Sequence, residues 1–208
     1  MTFERSYEII NELKKIIPNP KCELNYTSVF ELLCAVILSS QTTDKRVNEV
    51  TPTLFAKYPT PKDLSLANPQ EVYLIIQSLG FAKTKSIHLI EMAKTLHKEY
   101  NDVVPNTLEE LQKLSGVGRK TASVILVEGY KIPAMPVDTH LVRMAKRLGY
   151  IAEHESIKEA EESFRKYIEE KDWIISHHLF LLFGRYHCKA IKPNCEGCSL
   201  KKFCKVEH

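Results

Sequence analysis

Apolar positions along the chain recur at the three-to-four-residue spacing of amphipathic helices, and the strict alternation typical of strands is nearly absent. Helix start signals accompany this pattern from end to end, because Ser, Thr and Asn side chains satisfy the free amides of a first turn. The pattern predicts an all-α protein. The predicted starts are the capping-box pairs Ser28 with Glu31, Thr107 with Glu110 and Ser156 with Glu159, and the proline-led starts Thr60-Pro61 and Asn68-Pro69.

Glycines mark the expected ends of several helices. Gly80, Gly129 and Gly149 each follow a helical stretch, where glycine readily adopts the left-handed conformation that closes a helix. Residues 29–38 are apolar almost all the way round a helix, which is typical of a helix surrounded by others. Prolines within residues 131–136 prevent a helix from continuing, so this segment is the best candidate for a domain boundary.

Composition and apolar run lengths exclude several classes of protein. The 208 residues are 44% apolar and 26% charged, with ten prolines and seven glycines, unlike disordered or collagen-like chains. The longest apolar run, residues 32–38, is far shorter than the ~20 residues of a membrane helix. The amino-terminal segment has an acidic residue, Glu4, where a signal peptide has basic residues, so we expect no signal peptide. We therefore expect a cytoplasmic protein, nucleoid-associated if bacterial.

The net charge of +3 hides an uneven distribution. Residues 113–147 carry seven basic side chains against two acidic ones, and residues 185–208 carry six against two. Residues 153–172, between these segments, hold eight acidic and four basic side chains. Both basic segments are therefore suited to bind a polyanion.

Four of the six cysteines lie close together near the carboxyl end of the chain. Cys188, Cys195, Cys198 and Cys204 have the spacing C-x6-C-x2-C-x5-C, and thiols so near in sequence are expected to share a ligand. Zinc sites usually contain two C-x2-4-C pairs, and this run has one such pair. The spacing therefore favours an iron–sulfur cluster, with zinc and a disulfide pair as the alternatives. Cys34, inside the apolar run, is expected to be a core residue.

A Gly-Val-Gly turn joins two helical patterns between residues 111 and 127. Gly116 and Gly118 leave the backbone uncovered, so the amides at the start of the second helix can approach another surface. Such amides, at the positive end of the helix dipole, bind phosphate, and this contact positions a protein on a nucleic acid without reading its sequence. On the glycines alone, an ordinary tight corner between two helices remains the simpler interpretation.

Three motifs, in order, make the chain similar to a known family. They are Leu-Ser-Gly-Val-Gly-Arg-Lys-Thr-Ala at 114–122, Val-Asp-Thr-His at 137–140 and the four-cysteine pattern. Together they resemble endonuclease III, the helix–hairpin–helix family of DNA glycosylases with apurinic/apyrimidinic lyase activity. The likeness extends over nearly the whole chain, including residues 23–25, 30–33 and 38–41.

The resemblance implies an all-α fold of two helical domains with a DNA-binding cleft between them. Residues 22–132 would form a six-helix domain that contains the helix–hairpin–helix at about 108–128. Residues 1–21 and 133–208 would form a discontinuous domain that carries a 4Fe-4S cluster on the four cysteines. We expect a monomer that binds damaged double-stranded DNA and no membrane.

The resemblance assigns the chemistry to Lys120 and Asp138. Lys120 would attack C1′ of the sugar, displacing the damaged base and forming an imine, after which β-elimination cleaves the strand 3′ to the lesion. Its position beside Arg119 in the first turn of a helix disfavours a second positive charge, which favours the neutral, nucleophilic amine. Asp138 is a good N-cap by its position, and the resemblance gives its carboxylate the task of stabilising the positive charge that develops as the base leaves.

The other expected site residues contact duplex DNA. A base must leave the stack before an enzyme can reach its glycosidic bond. Gln41 matches the family residue that fills the vacated position, whereas Phe81 follows Gly80 where the family commonly has a leucine, so the second wedge departs from the family pattern. The expected DNA contacts are Gln41, Phe81, Gly116, Gly118, Arg119, Lys189 and Lys192.

Two other functions compete with this prediction. One is a monofunctional adenine or mismatch-thymine glycosylase of the same fold, and Lys120 argues against it because those relatives usually lack a lysine there. The other is a non-catalytic iron–sulfur protein that binds DNA, and the pairing of Lys120 with Asp138 argues against that. The expected function is therefore base excision repair, by a bifunctional glycosylase and lyase that removes oxidised pyrimidines from duplex DNA.

Overall fold

The computed structural model describes residues 1–206, and this part of the chain contains helices and no strand. The prediction of an all-α protein is confirmed. Glu207, counted in the second basic segment, lies outside the described residues. The helices are α1 (Phe3–Ile16), α2 (Val29–Leu38), α3 (Asp44–Lys57), α4 (Pro61–Ser65), α5 (Pro69–Ile76), α6 (Ala82–Glu99), α7 (Leu108–Leu111), α8 (Arg119–Gly129), α9 (Thr139–Leu148), α10 (Ile157–Tyr167) and α11 (Trp173–Tyr186), with 3₁₀ turns at Glu170–Asp172 and Lys201–Phe203.

The helices form two compact units. Residues 23–132 form one unit, and residues 1–22 with the described residues from 133 onward form the other. Seven α-helices, α2 to α8, lie in residues 23–132, where six were expected, and two of the seven, α4 and α7, are only five and four residues long. None of the helices in the described part of the chain combines the length and apolarity that a membrane-spanning helix needs.

Helix α2 is the centre of the unit formed by residues 23–132. Eight of its ten residues are buried, and it packs against α3, α6 and α8. Cys34 lies on this helix and is fully buried, as expected of a core residue. Gly129, on the last turn of α8, permits the close packing on α2, because a Cβ there would lie 2.9 Å from Cγ1 of Val29. The predicted helix surrounded by others is therefore confirmed.

Helix α11 is central to the other unit, where it packs against α1 and α9, while α10 packs against α9. Three aromatic rings fill the core between these helices, with the centroid of Phe164 4.7 Å from that of Tyr150 and 4.9 Å from that of Phe180. The Tyr150 hydroxyl is buried and shares a 2.6 Å hydrogen bond with Ser6 on α1. This hydrogen bond ties the amino-terminal helix to residues more than 140 positions later.

The predicted helix starts lie where the sequence pattern indicated, with differences in how the caps are built. Ser156 and Glu159 form a complete capping box. Ser28 accepts the Glu31 amide at 3.1 Å, but the Glu31 carboxylate accepts from Thr27 instead of Ser28, so only half of that box is present. Thr107 similarly accepts the Glu110 amide at 3.3 Å without a reciprocal backbone contact.

Of the three glycines that were predicted to close a helix in the left-handed conformation, one does so. Gly149 closes α9 in the left-handed conformation, with φ of 81°. Gly80 and Gly129 do not adopt it; the left-handed residues near those positions are Phe81, with φ of 58°, and Lys131, with φ of 57°. Gly129 is still helical because its missing side chain serves packing on α2, so the helix ends one residue later than the glycine indicated.

Candidate functional site

The Gly-Val-Gly turn lies between α7 and α8. Helix α7 is a single turn that ends at Leu111, so the segment after Leu111, which the sequence pattern assigned to the first hairpin helix, is a series of turns instead. Leu111, Leu114 and Val117 are buried and anchor this segment in the core. Gly116 has φ of 77°, and a Cβ there would lie 3.0 Å from Cβ of His88 on α6. The turn therefore requires glycine at 116 for both its conformation and its packing.

The first turn of α8 is open to an external ligand. Gly118 is the N-cap residue, no side chain caps the helix, and no acidic residue lies in the first turn. A Cβ added to Gly118 would have no protein atom within 4 Å, and Arg119 and Lys120 are both exposed. Because the first amides of a helix have no intrahelical acceptor, this end of α8 offers donors and positive charge to an anion.

Asp138 caps helix α9, as its sequence position predicted. Its Oδ1 accepts the amides of His140 at 2.9 Å and of Leu141 at 3.0 Å. Within the described residues, Oδ2 has no hydrogen bond to protein. The side chain is half-buried, so one oxygen orients the carboxylate while the other can face a substrate.

Helix α9 also holds the start of the cysteine segment. The Arg143 guanidinium donates to the carbonyls of Cys188 at 3.0 Å and Gly184 at 2.7 Å, and to Nδ1 of His140 at 3.0 Å. Arg147 donates to Sγ of Cys188 at 3.0 Å and to the carbonyl of Lys189 at 2.9 Å. Burial is the main cause that lowers the pKa of His140. These two arginines were not singled out from the sequence, where only their contribution to local charge was visible.

The four clustered cysteines surround one pocket. Cys188, Cys195, Cys198 and Cys204 all line a small cavity of about 30 Å³, whose lining also includes the apolar residues Met144, Leu148, Phe183 and Leu200 and the polar residues Arg147, Asn194 and Lys201. Within residues 1–206, no three Cys, His, Asp or Glu side chains converge on a point where one metal ion would bind. The four thiols therefore share one small and mainly apolar cavity.

The loop between Cys188 and Cys195 presents two basic side chains to solvent. Lys189 and Lys192 are both exposed, and Lys192 has φ of 51°. The Arg147 contacts at the start of the loop hold its backbone. This part of the chain therefore presents positive charge on an ordered loop, as the charge pattern predicted.

Gln41 and Phe81 lie on neighbouring turns of the unit formed by residues 23–132. Both are exposed, Phe81 by 65%, and both adopt left-handed conformations, with φ of 52° for Gln41 and 58° for Phe81. A Cβ at Gly80 would lie 3.7 Å from the Gln41 carbonyl oxygen, so the two turns are in contact. Non-glycine residues rarely adopt this conformation, and such strain is concentrated at functional sites.

Comparisons with known proteins identify the family to which the chain belongs. Residues 34–170 match the model of the HhH-GPD superfamily of base excision DNA repair proteins. The chain is 39% identical to endonuclease III from Bacillus subtilis (strain 168) over 196 residues. The aligned residues cover 94% of this chain and 90% of that protein. The chain is 41% identical over 201 residues to endonuclease III from Rickettsia conorii (strain ATCC VR-613 / Malish 7), covering 95% of each. The chain belongs to the endonuclease III family.

Solved structures support the same family at the level of the fold. An endonuclease III trapped as a covalent intermediate with DNA is 41% identical, with a TM-score of 0.95 over 99% of this chain and 96% of that one. A thermostable thymine-DNA glycosylase has a TM-score of 0.86 over 97% of this chain and 96% of that one, but is 20% identical, so it shows the shared fold alone. The superfamily match ends at residue 170, before the four cysteines, and similarity beyond it rests on the endonuclease III relatives.

Proposed function

We propose that this protein is a base-excision-repair enzyme, a DNA N-glycosylase that removes oxidised pyrimidines from duplex DNA and also cleaves the strand at the abasic site. The observation that carries the proposal is the exposed Lys120 in the uncapped first turn of α8, in a chain of the endonuclease III family. Additional support comes from the 41% identical endonuclease III that was solved as a covalent intermediate with DNA. A protein with this task works where chromosomal DNA is, which is the reason to expect it in the cytoplasm.

Lys120 is proposed as the nucleophile. Its amine forms a bond to C1′ of the damaged nucleotide as the bond from C1′ to the base breaks, and the base leaves with the electron pair and takes up a proton. The resulting amine intermediate opens to an imine, and loss of a proton from C2′ expels the 3′ oxygen by β-elimination. The first step requires the neutral amine of Lys120, because only an unprotonated nitrogen has the electron pair that attacks C1′.

Asp138 is proposed to stabilise the positive charge that develops on the sugar as the base departs. With Oδ1 engaged by two amides of α9, the carboxylate has a fixed orientation and Oδ2 is available to the substrate. A fixed negative charge stabilises an oxocarbenium-like transition state more than the neutral substrate, which is what accelerates a reaction.

Contacts with the DNA backbone are proposed at the hairpin and the cysteine loop. The open amides at Gly118 and the Arg119 side chain bind phosphate at one position, and Lys189 and Lys192 bind phosphates at another. These contacts recognise no base sequence, which suits an enzyme that must search all of the genome for damage. Gln41 and Phe81 are proposed to occupy the space left when the damaged nucleotide is flipped out.

The four cysteines are proposed to hold a 4Fe-4S cluster. The all-thiol donor set and the apolar lining of their shared pocket support this assignment. When bound, such a cluster supplies ligation free energy that keeps the carboxyl-terminal segment folded. The ordered segment then presents Lys189 and Lys192, and no step of base removal or strand cleavage passes through the cluster.

Borohydride trapping tests the proposed mechanism. Borohydride reduces an imine between protein and an abasic site to a stable adduct, so the wild type should become covalently linked to abasic duplex DNA. Lys120→Ala should give no adduct, while Lys62→Ala, which removes an exposed lysine from α4, should give the wild-type yield. An adduct of equal yield from Lys120→Ala would refute the assignment of the nucleophile, and absence of an adduct from the wild type would favour a monofunctional glycosylase.

A further inference from the structure

A buried lysine lies behind the two turns that carry Gln41 and Phe81. Lys85, on the first part of α6, is only 4% exposed, and its Nζ donates to Oγ1 of Thr42 at 2.9 Å. The Thr42 hydroxyl in turn lies 3.4 Å from the Ser40 carbonyl oxygen, to which it donates. A chain of hydrogen bonds thus runs from α6 to both sides of Gln41.

Placing a lysine here is energetically unfavourable in two ways. Burial disfavours its charged form and lowers its pKa. The positive end of the α6 dipole lies close by, since α6 begins at Ala82. A methionine of similar length would fill the same space without either cost, so packing alone does not explain a lysine at this position.

The hydrogen bond from Lys85 to Thr42 connects the start of α6, next to Phe81, to the turn that carries Gln41. Phe81 is the N-cap residue of α6 and makes no side-chain cap hydrogen bond. The bonds around Gln41 are local ones, from the Thr42 amide to the Ser39 carbonyl at 3.1 Å and from the Thr42 hydroxyl to the Ser40 carbonyl. Lys85 belongs to α6, whose N-cap residue is Phe81, and it donates to Thr42, the residue after Gln41. Its side chain therefore fixes the position of one turn relative to the other.

We infer that Lys85 is a positioning residue, which holds the turns of Gln41 and Phe81 in register so that both side chains enter the duplex together when a nucleotide is flipped out. This inference rests on the proposed function for its consequence in DNA, but the tether itself is a property of the free protein. Loss of the tether should slow nucleotide flipping at least about tenfold, because misplacing a positioned group by about 1 Å can cost on the order of 100-fold.

The first measurement uses the protein without DNA. Hydrogen exchange of the amides in residues 40–43 and 80–84 should become faster in Lys85→Met and in Thr42→Val, each of which removes one partner of the bond. Lys94→Met, which removes an exposed lysine further along α6, should leave exchange in both turns unchanged. Unchanged exchange in Lys85→Met would overturn the inference whether or not the protein is a glycosylase.

The second measurement follows flipping in duplex DNA that contains one oxidised pyrimidine next to 2-aminopurine, whose fluorescence rises when stacking is lost. Lys85→Met should slow the fluorescence change and single-turnover base release about tenfold. In a Gln41→Ala background the same substitution should change the rates less than twofold, because a residue that acts through Gln41 has no further effect once that side chain is gone. Effects that multiply, or a Lys85→Met rate equal to that of Lys94→Met, would overturn the inference. A wild type that releases no base would instead refute the proposed function.

Discussion

Substitution by alanine should lower the stability of the protein at Gly116 and its affinity for DNA at Gly118. Gly116→Ala places a Cβ at a residue with φ of 77° and within 3.0 Å of the Cβ of His88. The left-handed conformation costs about 1–2 kcal/mol for alanine, and the contact with a helix side chain adds about 1 kcal/mol. Gly118→Ala meets no protein atom within 4 Å, so only the poorer N-cap matters, at about 0.5 kcal/mol.

We therefore expect Gly116→Ala to lower the free energy of unfolding by about 2–3 kcal/mol, which for a chain of this size lowers the thermal midpoint by roughly 5–10 °C. Gly118→Ala should unfold within about 2 °C of the wild type. Its new methyl group stands between the open amides of α8 and a phosphate, so affinity for duplex DNA should fall about tenfold. Thermal unfolding followed by circular dichroism and DNA binding followed by fluorescence anisotropy measure the two effects separately.

Removal of the His88 side chain provides the control. In the Gly116→Ala background, His88→Ala relieves the close contact but not the left-handed strain, so it should restore about 1 kcal/mol and no more. Unfolding of Gly116→Ala at the wild-type midpoint would show that this strain is absent. Wild-type affinity of Gly118→Ala for DNA would show that the amides of α8 do not contact phosphate.

Four further outcomes are expected. Asp138→Asn keeps an oxygen that accepts the two α9 amides, so its thermal midpoint should stay within about 2 °C of the wild type while base release falls at least about 100-fold; equal activity would exclude a charge-stabilising role. Cys198→Ser should lose iron and visible absorption and become sensitive to proteolysis beyond residue 185, whereas a colourless wild type with one zinc would refute the cluster. The pKa of His140 is lowered from 6.5, chiefly by burial. As the pH falls, His140 therefore binds a proton in the unfolded chain before it does so in the folded chain. Stability should fall as the pH drops below about 6.5, and His140→Gln should flatten that loss in thermal scans between about pH 7.5 and 5. Lys189→Ala with Lys192→Ala should reduce the slope of log affinity against log salt by about 2 if both side chains contact phosphates, and an unchanged slope would remove them from the interface.

Local chemistry made much of the fold predictable. Asp138, Thr60 and Asn68 start helices because their side chains accept amides only two or three residues away, so no distant residue is needed to specify these caps. Gly149 ends α9 for the same local reason. The apolar residues 29–38 similarly indicated a buried helix, since no face of that helix can tolerate water.

Predictions failed where a long-range contact decided the backbone. Gly129 was expected to end its helix in a left-handed conformation, but it remains helical because α2 approaches it too closely for any side chain. Phe81 and Lys131 adopt the left-handed conformation in place of the nearby glycines, and neither residue type favours it. These backbone conformations depend on which helices pack against each other, and helix packing is determined by residues along the whole chain.

For the site, the sequence determined the chemical groups and the tertiary structure determined which of them act together. The cap at Asp138 and the close spacing of the four cysteines are local features of the chain, so the sequence was enough to predict them. The catalytic roles of Lys120 and Asp138 came from the resemblance to the family and stay predictions. The burial of Lys85 and its bond to Thr42, 43 positions earlier, exist only because α6 packs beside the turn after α2. The arginines of α9 that hold the Cys188 segment are a second example, 41 to 45 residues from their partners. Burial and hydrogen bonding between distant segments are products of packing, and packing is decided by the folded chain as a whole.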